Sequence, residues 1–175
     1  MISWIRLFLK QKSGVSSVEF ALIAPLMITI FLGLVELSDG LTATRKVASA
    51  TSTAADLIGR TKTASNSDIA DVFSATRAIL EPYDTSSVVV RISSVIVNLD
   101  ASTSVGWSDA LNTTALTEGD TYVLPSGVGF PGGSVIVTEV AYTHMGIIGH
   151  ILGSPRTYSD IFFVQPRRSL QVERL

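Results

Sequence analysis

Between Phe20 and Val35 the chain runs for sixteen residues without a charge, and few folds can accommodate such a run. A helix from Val15 to Val35 rises about 31 Å at ~1.5 Å per residue. That matches a bilayer hydrocarbon core of about 30 Å. The segment 15–37 is therefore predicted to be a transmembrane helix, with membrane lipid as its partner. Pro25 and Gly33 lie inside it; a proline removes one backbone hydrogen bond but is tolerated in a membrane span. Composition agrees, with 46% apolar and only 16% charged residues, against about 25% charged in ordinary globular domains.

The flanks of the run are more specific than the run itself. Residues 1–14 hold Arg6, Lys10 and Lys12 and no acid, whereas Glu36 and Asp39 follow the span. The positive-inside rule then places the leader in the cytoplasm and the chain from about residue 38 on the opposite side. An ordinary secretory signal is cut after its apolar region, at small residues in an A-x-A arrangement. Glu36-Leu37-Ser38-Asp39-Gly40 offers no such site. Instead Gly14 stands before the run, and Glu19 is the fifth residue after it.

A carboxylate in a membrane helix costs about 2.5–3.5 kcal/mol near the centre and less near an end, so it is a functional candidate by default. Cleavage after Gly14 would free an α-amine on Val15, one helical turn from Glu19. Such an amine and carboxylate can pair within the chain or with an adjacent subunit. In a bundle of apolar helices that pairing compensates desolvated charge and sets axial register. The alternative is a plain uncleaved anchor, with Glu19 in the headgroup region, tethering a binding or sensing domain.

Beyond the span the pattern stays helical and then turns extended. Leu37, Leu41, Thr44, Ala48, Thr51, Ala55 and Ile58 recur every three or four residues, which predicts a continuing helix ending near Gly59. Ser65 and Asp68 form a capping box for a second, amphipathic helix. Its inner face is Ile69, Val72, Phe73, Thr76, Ile79 and Leu80, and Pro82 ends it. Strands are predicted over 88–97, 134–143 and 157–164. Residues 98–133 are rich in Gly, Ser, Thr, Asp and Asn; they are too long for a bare loop and predict a short strand or a segment packed on the sheet by Trp107. The fold class is α+β: a long N-terminal helix, a second amphipathic helix, and a small, mostly antiparallel sheet. Its parts are a leader over 1–14, a span over 15–37 and a head domain over 38–175.

Several function classes are disfavoured. With no cysteine, thiol catalysis, disulfides and cysteine zinc sites are excluded. Once the three leader bases are removed, ten Lys+Arg face fifteen Asp+Glu, which argues against nucleic acid. His144 and His150, with Glu139 and Asp160 nearby, lack a metal-site spacing. Gly127, Gly129, Gly132 and Gly133 precede a strand rather than a helix and read as turns, not a phosphate loop. No nucleophile elbow accompanies the serines and histidines. Asn112-Thr113-Thr114 is a chance-level acceptor motif, and Arg167-Arg168 reads as a solvated end. The expectation is a non-enzyme without cofactor, metal or small-molecule substrate.

The stretch from Gly14 through Val15, Glu19, Phe20 and Pro25, followed by Gly33-Leu34-Val35-Glu36-Leu37, resembles type IV pilin-like precursors. Within them it resembles the TadE/TadF minor pilins (pseudopilins) of the tight-adherence pilus. Glu19-Phe20 is more like TadE-type proteins than the shorter major pilin, which usually has Glu-Tyr. Weaker similarity lies in Trp107-Ser108, Leu124-Pro125, 134–142 and Pro166-Arg167-Arg168. The resemblance implies an inner-membrane precursor cut by prepilin peptidase, with Gly14 before the scissile bond, Val15 the new terminus and Glu19 the assembly residue. It also implies a periplasmic head, other minor pilins and the tight-adherence secretion machinery as partners, a role in pilus assembly and adherence, and possible passage into the extracellular pilus.

Overall fold

A computed structural model describes residues 14–146, 149 and 153–175. Helix α1 spans Val15–Gly59 and runs through Pro25 without interruption. It is followed by β1 (Thr63–Ala64), α2 (Asn66–Leu80), β2 (Val89–Val97), β3 (Thr103–Leu111), β4 (Ser134–His144), β5 (Arg156–Val164) and β6 (Glu173–Arg174). The α+β expectation is met: a long apolar helix, a second helix, then a small antiparallel sheet.

The capping box forms as the sequence requires. The Ser65 hydroxyl accepts from the Asp68 N–H, and the Asp68 carboxylate accepts from the Ser65 N–H. Two donors that the first turn would leave unpaired are thereby satisfied. Ile69, Val72, Thr76 and Leu80 are buried on the inner face, and Phe73 and Ile79 pack beside them. The helix stops at Leu80, just before the Glu81–Pro82 peptide bond.

The main sheet has the order β3-β2-β4-β5, every neighbour antiparallel. One face carries Val90, Ile92, Ile136, Val140 and Tyr142 against α1 and α2. On the other, Val95, Val97, Val135 and Val137 are covered by Tyr122, Leu124 and Val128 from the β3–β4 connection. The β2–β3 register slips after Ser94, leaving Gly106 as the extra residue of a bulge. A Cβ there would come within 2.9 Å of Ile96 Cδ1 and 3.3 Å of the Ser94 carbonyl oxygen, so the position has no room for a side chain.

Three expectations are corrected. The buried stripe of α1 is Ala43, Val47, Ala50, Thr51, Ala54, Ala55 and Ile58. Leu37 and Leu41 are 60% and 52% exposed, and Thr44 and Ala48 also face outward. The apolar run has no polar side to fix a phase, so periodicity started one residue out of step. The strand in 98–133 is not short: β3 has nine residues, a full member of the sheet held by Trp107, whose Nε1–H donates to the Val172 carbonyl at 2.7 Å. Finally, Arg167 is not simply a solvated end, because it pairs with Asp56 of α1 at 2.8 Å.

Helix α1 ends at Gly59 as expected, by close packing against β5. A Cβ on Gly59 would lie 3.2 Å from Val164 Cγ1, and the Gly59 carbonyl accepts from the Arg167 N–H at 2.8 Å.

Candidate functional site

The first five turns of α1 stand clear of the rest of the fold. Gly14 occupies the N-cap without a side-chain cap, and Val15 is the first helical residue. Gly14, Glu19 and Phe20 are exposed, Phe20 to 70%. Val15 and Glu19 stand one turn apart, the spacing at which helical side chains meet. Leu22, Ile23, Leu26 and Met27 are more than half exposed, and at 100° per residue these positions point in different directions around the helix. A helix that is apolar all round needs an apolar surrounding on every side. Of its most apolar window, nothing is buried by the protein itself. The fold leaves this segment for lipid or for other helices.

Pro25 and Gly33 contribute little to contacts within the fold. The Pro25 carbonyl accepts from the Thr29 hydroxyl at 2.8 Å, and a Cβ on Gly33 would touch nothing within 4 Å. Space beside Gly33 is therefore open to another chain or to lipid.

Where the apolar run ends, the head takes hold through a polar cluster that periodicity could not reveal. Asp39 on α1 accepts from the Tyr83 hydroxyl at 2.7 Å through Oδ1 and lies 2.5 Å from His144 Nε2 through Oδ2. Tyr83 follows α2 and His144 ends β4, so one carboxylate ties two parts of the head to the helix. Burial and then the Asp39 hydrogen bond push the Tyr83 phenol up to about 12, so it stays protonated and donating at neutral pH. Tyr142 packs beside both rings, 5.6 Å from Tyr83 and 5.9 Å from His144. Two turns further on, Lys46 reaches the carbonyls of Ile79 and Glu81, placing a cation at the C-terminal end of α2, where the helix dipole favours it. Glu36 lies against Gly146 so closely that no side chain fits there.

The residues that tempt a catalytic or metal reading are placed apart. His150 lies outside the described residues. His144 is engaged by Asp39 and by the Tyr142 hydroxyl, and among the described residues no serine hydroxyl bonds its ring. Glu139 faces the opposite side of the sheet, bound to Arg91 and to the Tyr122 hydroxyl, while Asp160 sits opposite Val140 on the helix-facing side. Among the described residues no three His, Cys, Asp or Glu side chains gather as metal ligands. Gly127, Gly129 and Gly132 have positive φ; Gly132 and Gly133 close a turn onto Val97 by backbone bonds of 2.7 and 2.9 Å. The Asn112 side-chain amide is spent on the Ser86 and Val88 carbonyls.

Residues 14–56 match the family model described as TadE-like protein. The match takes in Gly14, Val15, Glu19, Phe20, Pro25 and Gly33, with most of the stripe that packs on the sheet, and stops before α2. Among curated proteins and among solved structures, none matches the chain significantly. The likeness to TadE-like proteins therefore rests on the N-terminal segment, residues 14–56, and not on the head.

Proposed function

We propose that this chain is a TadE-like minor pilin, cut after Gly14 by prepilin peptidase and then taken into assembly of the pilus through its bared apolar helix. The observation that carries the reading is the placement of Glu19 one turn from Val15 on a helix end that touches nothing else in the fold. An ammonium group on Val15 would stand at the positive end of the helix dipole, which opposes it. A carboxylate on the next turn offsets that repulsion. Pairing with the carboxylate of a neighbouring subunit offsets it equally and fixes one helix against another.

The apolar run is suited to a single inner-membrane span with the basic leader in the cytoplasm and the head in the periplasm. Helices that associate within lipid gain mainly from packing and from polar pairs between them. The open surface beside Gly33 and the Glu19 carboxylate are suited to each of these. Family proteins are structural pilus components, and the chain's own polar clusters are engaged in holding the head on its helix.

Amino-terminal sequencing of the protein extracted from membranes of cells with an active prepilin peptidase tests the first step. The chain is expected to begin at Val15, and Gly14→Ala to leave uncut precursor. Glu19→Ala is expected to insert in the membrane and be processed, with far fewer pili. A chain that retains Met1 in such cells points instead to an uncleaved anchor carrying a binding or sensing domain. Normal piliation in the Glu19→Ala strain removes the assembly role.

A further inference from the structure

Both ends of the β4–β5 connection lie beside the close of the apolar run of α1. β4 ends at His144, which meets Asp39 at 2.5 Å, and β5 begins at Arg156, opposite His144 in the sheet. Gly146 is nearer still to the run, since a Cβ there would collide with the Glu36 carboxylate. At the other end the Ser154 N–H donates to the Gly149 carbonyl at 3.1 Å, and Gly153 has a φ of 66°. That turn brings the chain back into β5.

Heights along α1 place these residues relative to a bilayer. Val35 closes the uncharged run, and Glu36 and Asp39 lie about 1.5 and 6 Å beyond it at ~1.5 Å per residue. When the run fills the hydrocarbon core, the headgroup layer on that side is about 5–7 Å deep. His144 and Gly146, held at Asp39 and Glu36, therefore stand within it. Cover on α1 reaches further in. Leu32 and Val35 are partly covered, whereas Phe31, Leu34 and Leu37 are more than half exposed. Leu32, Val35, Glu36, Asp39 and buried Ala43 follow one another at helical spacing along one face. The face that meets the head thus continues about one turn into the uncharged run.

The sequence at this height differs from that of the other turns. Residues 145–155 read Met-Gly-Ile-Ile-Gly-His-Ile-Leu-Gly-Ser-Pro, with five large apolar side chains, no acid and no lysine or arginine. β2 ends beside the start of β4, so the β2–β3 turn is at the far end of the sheet. It reads Asn98-Leu99-Asp100-Ala101-Ser102, as turns facing water usually do. Met145 is 40% exposed, and Gly153, Ser154 and Pro155 are exposed as well. Arg156, at the height of Asp39, is exposed and in no ion pair among the described residues. Long cationic side chains are favoured at a membrane interface, where the stem stays apolar and the head reaches polar groups.

We infer that this end of the head is a second membrane contact: Met145, Gly153, Ser154 and Pro155 sit in the headgroup layer of the bilayer that α1 crosses, with Arg156 at the lipid phosphates. The inference rests on the reading that α1 spans the membrane. Lipid is the occupant because a surface at this height, beside a helix passing into hydrocarbon, meets headgroups first. Apolar segments lying in the interface enter it by about 5–10 Å, close to the roughly 10 Å between Asp39 and Leu32 along α1. The head is then held against the bilayer by its span and by this seat together. A subunit leaving the membrane must withdraw both.

The chain has no cysteine, so a single one can be introduced and labelled without background. The full-length protein is reconstituted in vesicles of phosphatidylethanolamine and phosphatidylglycerol, with an environment-sensitive fluorophore at Met145→Cys or Ser154→Cys. Leu26→Cys is the reference within the span, and Leu99→Cys and Val123→Cys are references on exposed parts of the head. Emission from 145 and 154 is expected to lie to the blue of that from 99 and 123. A nitroxide on the lipid headgroup should quench it more than one near the end of the acyl chain. Leu26→Cys should show the reverse order, and 99 and 123 should respond to neither. Unchanged near-UV circular dichroism of the labelled forms excludes misfolding.

Emission at 145 and 154 that matches 99 and 123 overturns the inference. So does a blue shift that neither lipid quenches, which means that protein covers the site, or quenching strongest from the acyl-chain end. In each case quenching at Leu26→Cys leaves the span standing. No quenching at Leu26→Cys defeats the span and the seat with it. Cutting after Gly14 is untouched by any of these results.

Discussion

Helix α1 is one continuous rod with two different halves. From Val15 to Leu41 most of its large apolar side chains (Phe20, Leu26, Phe31, Leu34 among them) are more than half exposed, with Leu32 and Val35 partly covered. From Ala43 to Gly59 the inward residues are mostly small, with Ala43, Ala50 and Ala55 fully buried. The half with more apolar bulk is the one the fold leaves bare. The other half carries less apolar surface per residue but brings helix and sheet backbones close together. Hydrophobicity therefore marks what must leave water, while side-chain size marks how near a neighbour comes. Apolar burial follows area, whereas close packing depends on shape.

The contrast can be broken most severely from the core side. Ile92→Ala or Ile136→Ala, each at a fully buried residue, should destabilise the head by about 2–5 kcal/mol. Leu26→Ala, which removes a side chain of comparable size from the bare half, should leave the head's stability unchanged. Urea unfolding in detergent micelles, followed by near-UV circular dichroism, measures both. If Leu26→Ala lowers the head's midpoint as much as Ile92→Ala, the two halves are not energetically distinct.

A milder test adds bulk. Ala54→Leu forces three extra carbons between α1 and the sheet and should cost about 1–3 kcal/mol. Ala48→Leu, six residues earlier on the outward side, should change stability by less than about 0.5 kcal/mol. The same unfolding assay compares them.

Smaller still is the loss of the α2 cap. Ser65→Ala should cost about 1 kcal/mol and leave α1 untouched. Hydrogen exchange should show the first turn of α2 opening before the rest. Asp68 gives the pH counterpart. Hydrogen bonds from Ser65 hold its carboxyl below the ordinary 3.8. Its contribution is therefore fully present above the unfolded value and is lost as pH falls through the lower folded one. The stability gap between wild type and Asp68→Asn should be constant at neutral pH and close progressively below about pH 4. A gap that widens in acid contradicts the cap's electrostatics.

Much of this fold was legible because its signals are local. Ser65 and Asp68 announce α2 with three-residue spacing, Pro82 ends it, and the β-branched run at 88–97 can hardly be anything but a strand. What escaped was non-local. Thr103–Leu111 contains Gly106, Ser108 and Asp109, and only Val105 of the nine residues is buried. Its strand character comes from lying beside β2, not from its own composition. The two-residue parallel pairing of β1 with β6 joins Ala64 to Arg174 across most of the chain. No window along the sequence contains both. The Asp39, Tyr83 and His144 cluster escaped for the same reason, since each residue alone is unremarkable among loops and helix ends. In the candidate site, the places of Gly14, Val15 and Glu19 were readable because one helical turn fixes their spacing.

Sequence alone determined that an uncharged helix precedes an α+β head, and that a glycine and a glutamate bracket the helix's start. Those facts follow from backbone geometry and from the cost of charge in an apolar medium, which act residue by residue. Tertiary structure decided which side of α1 meets the sheet, which carboxylate ties the head to its helix, and which connection comes to lie beside the end of the apolar run. Each of these depends on what distant segments bring to the same place, and the chain's local preferences do not carry that information.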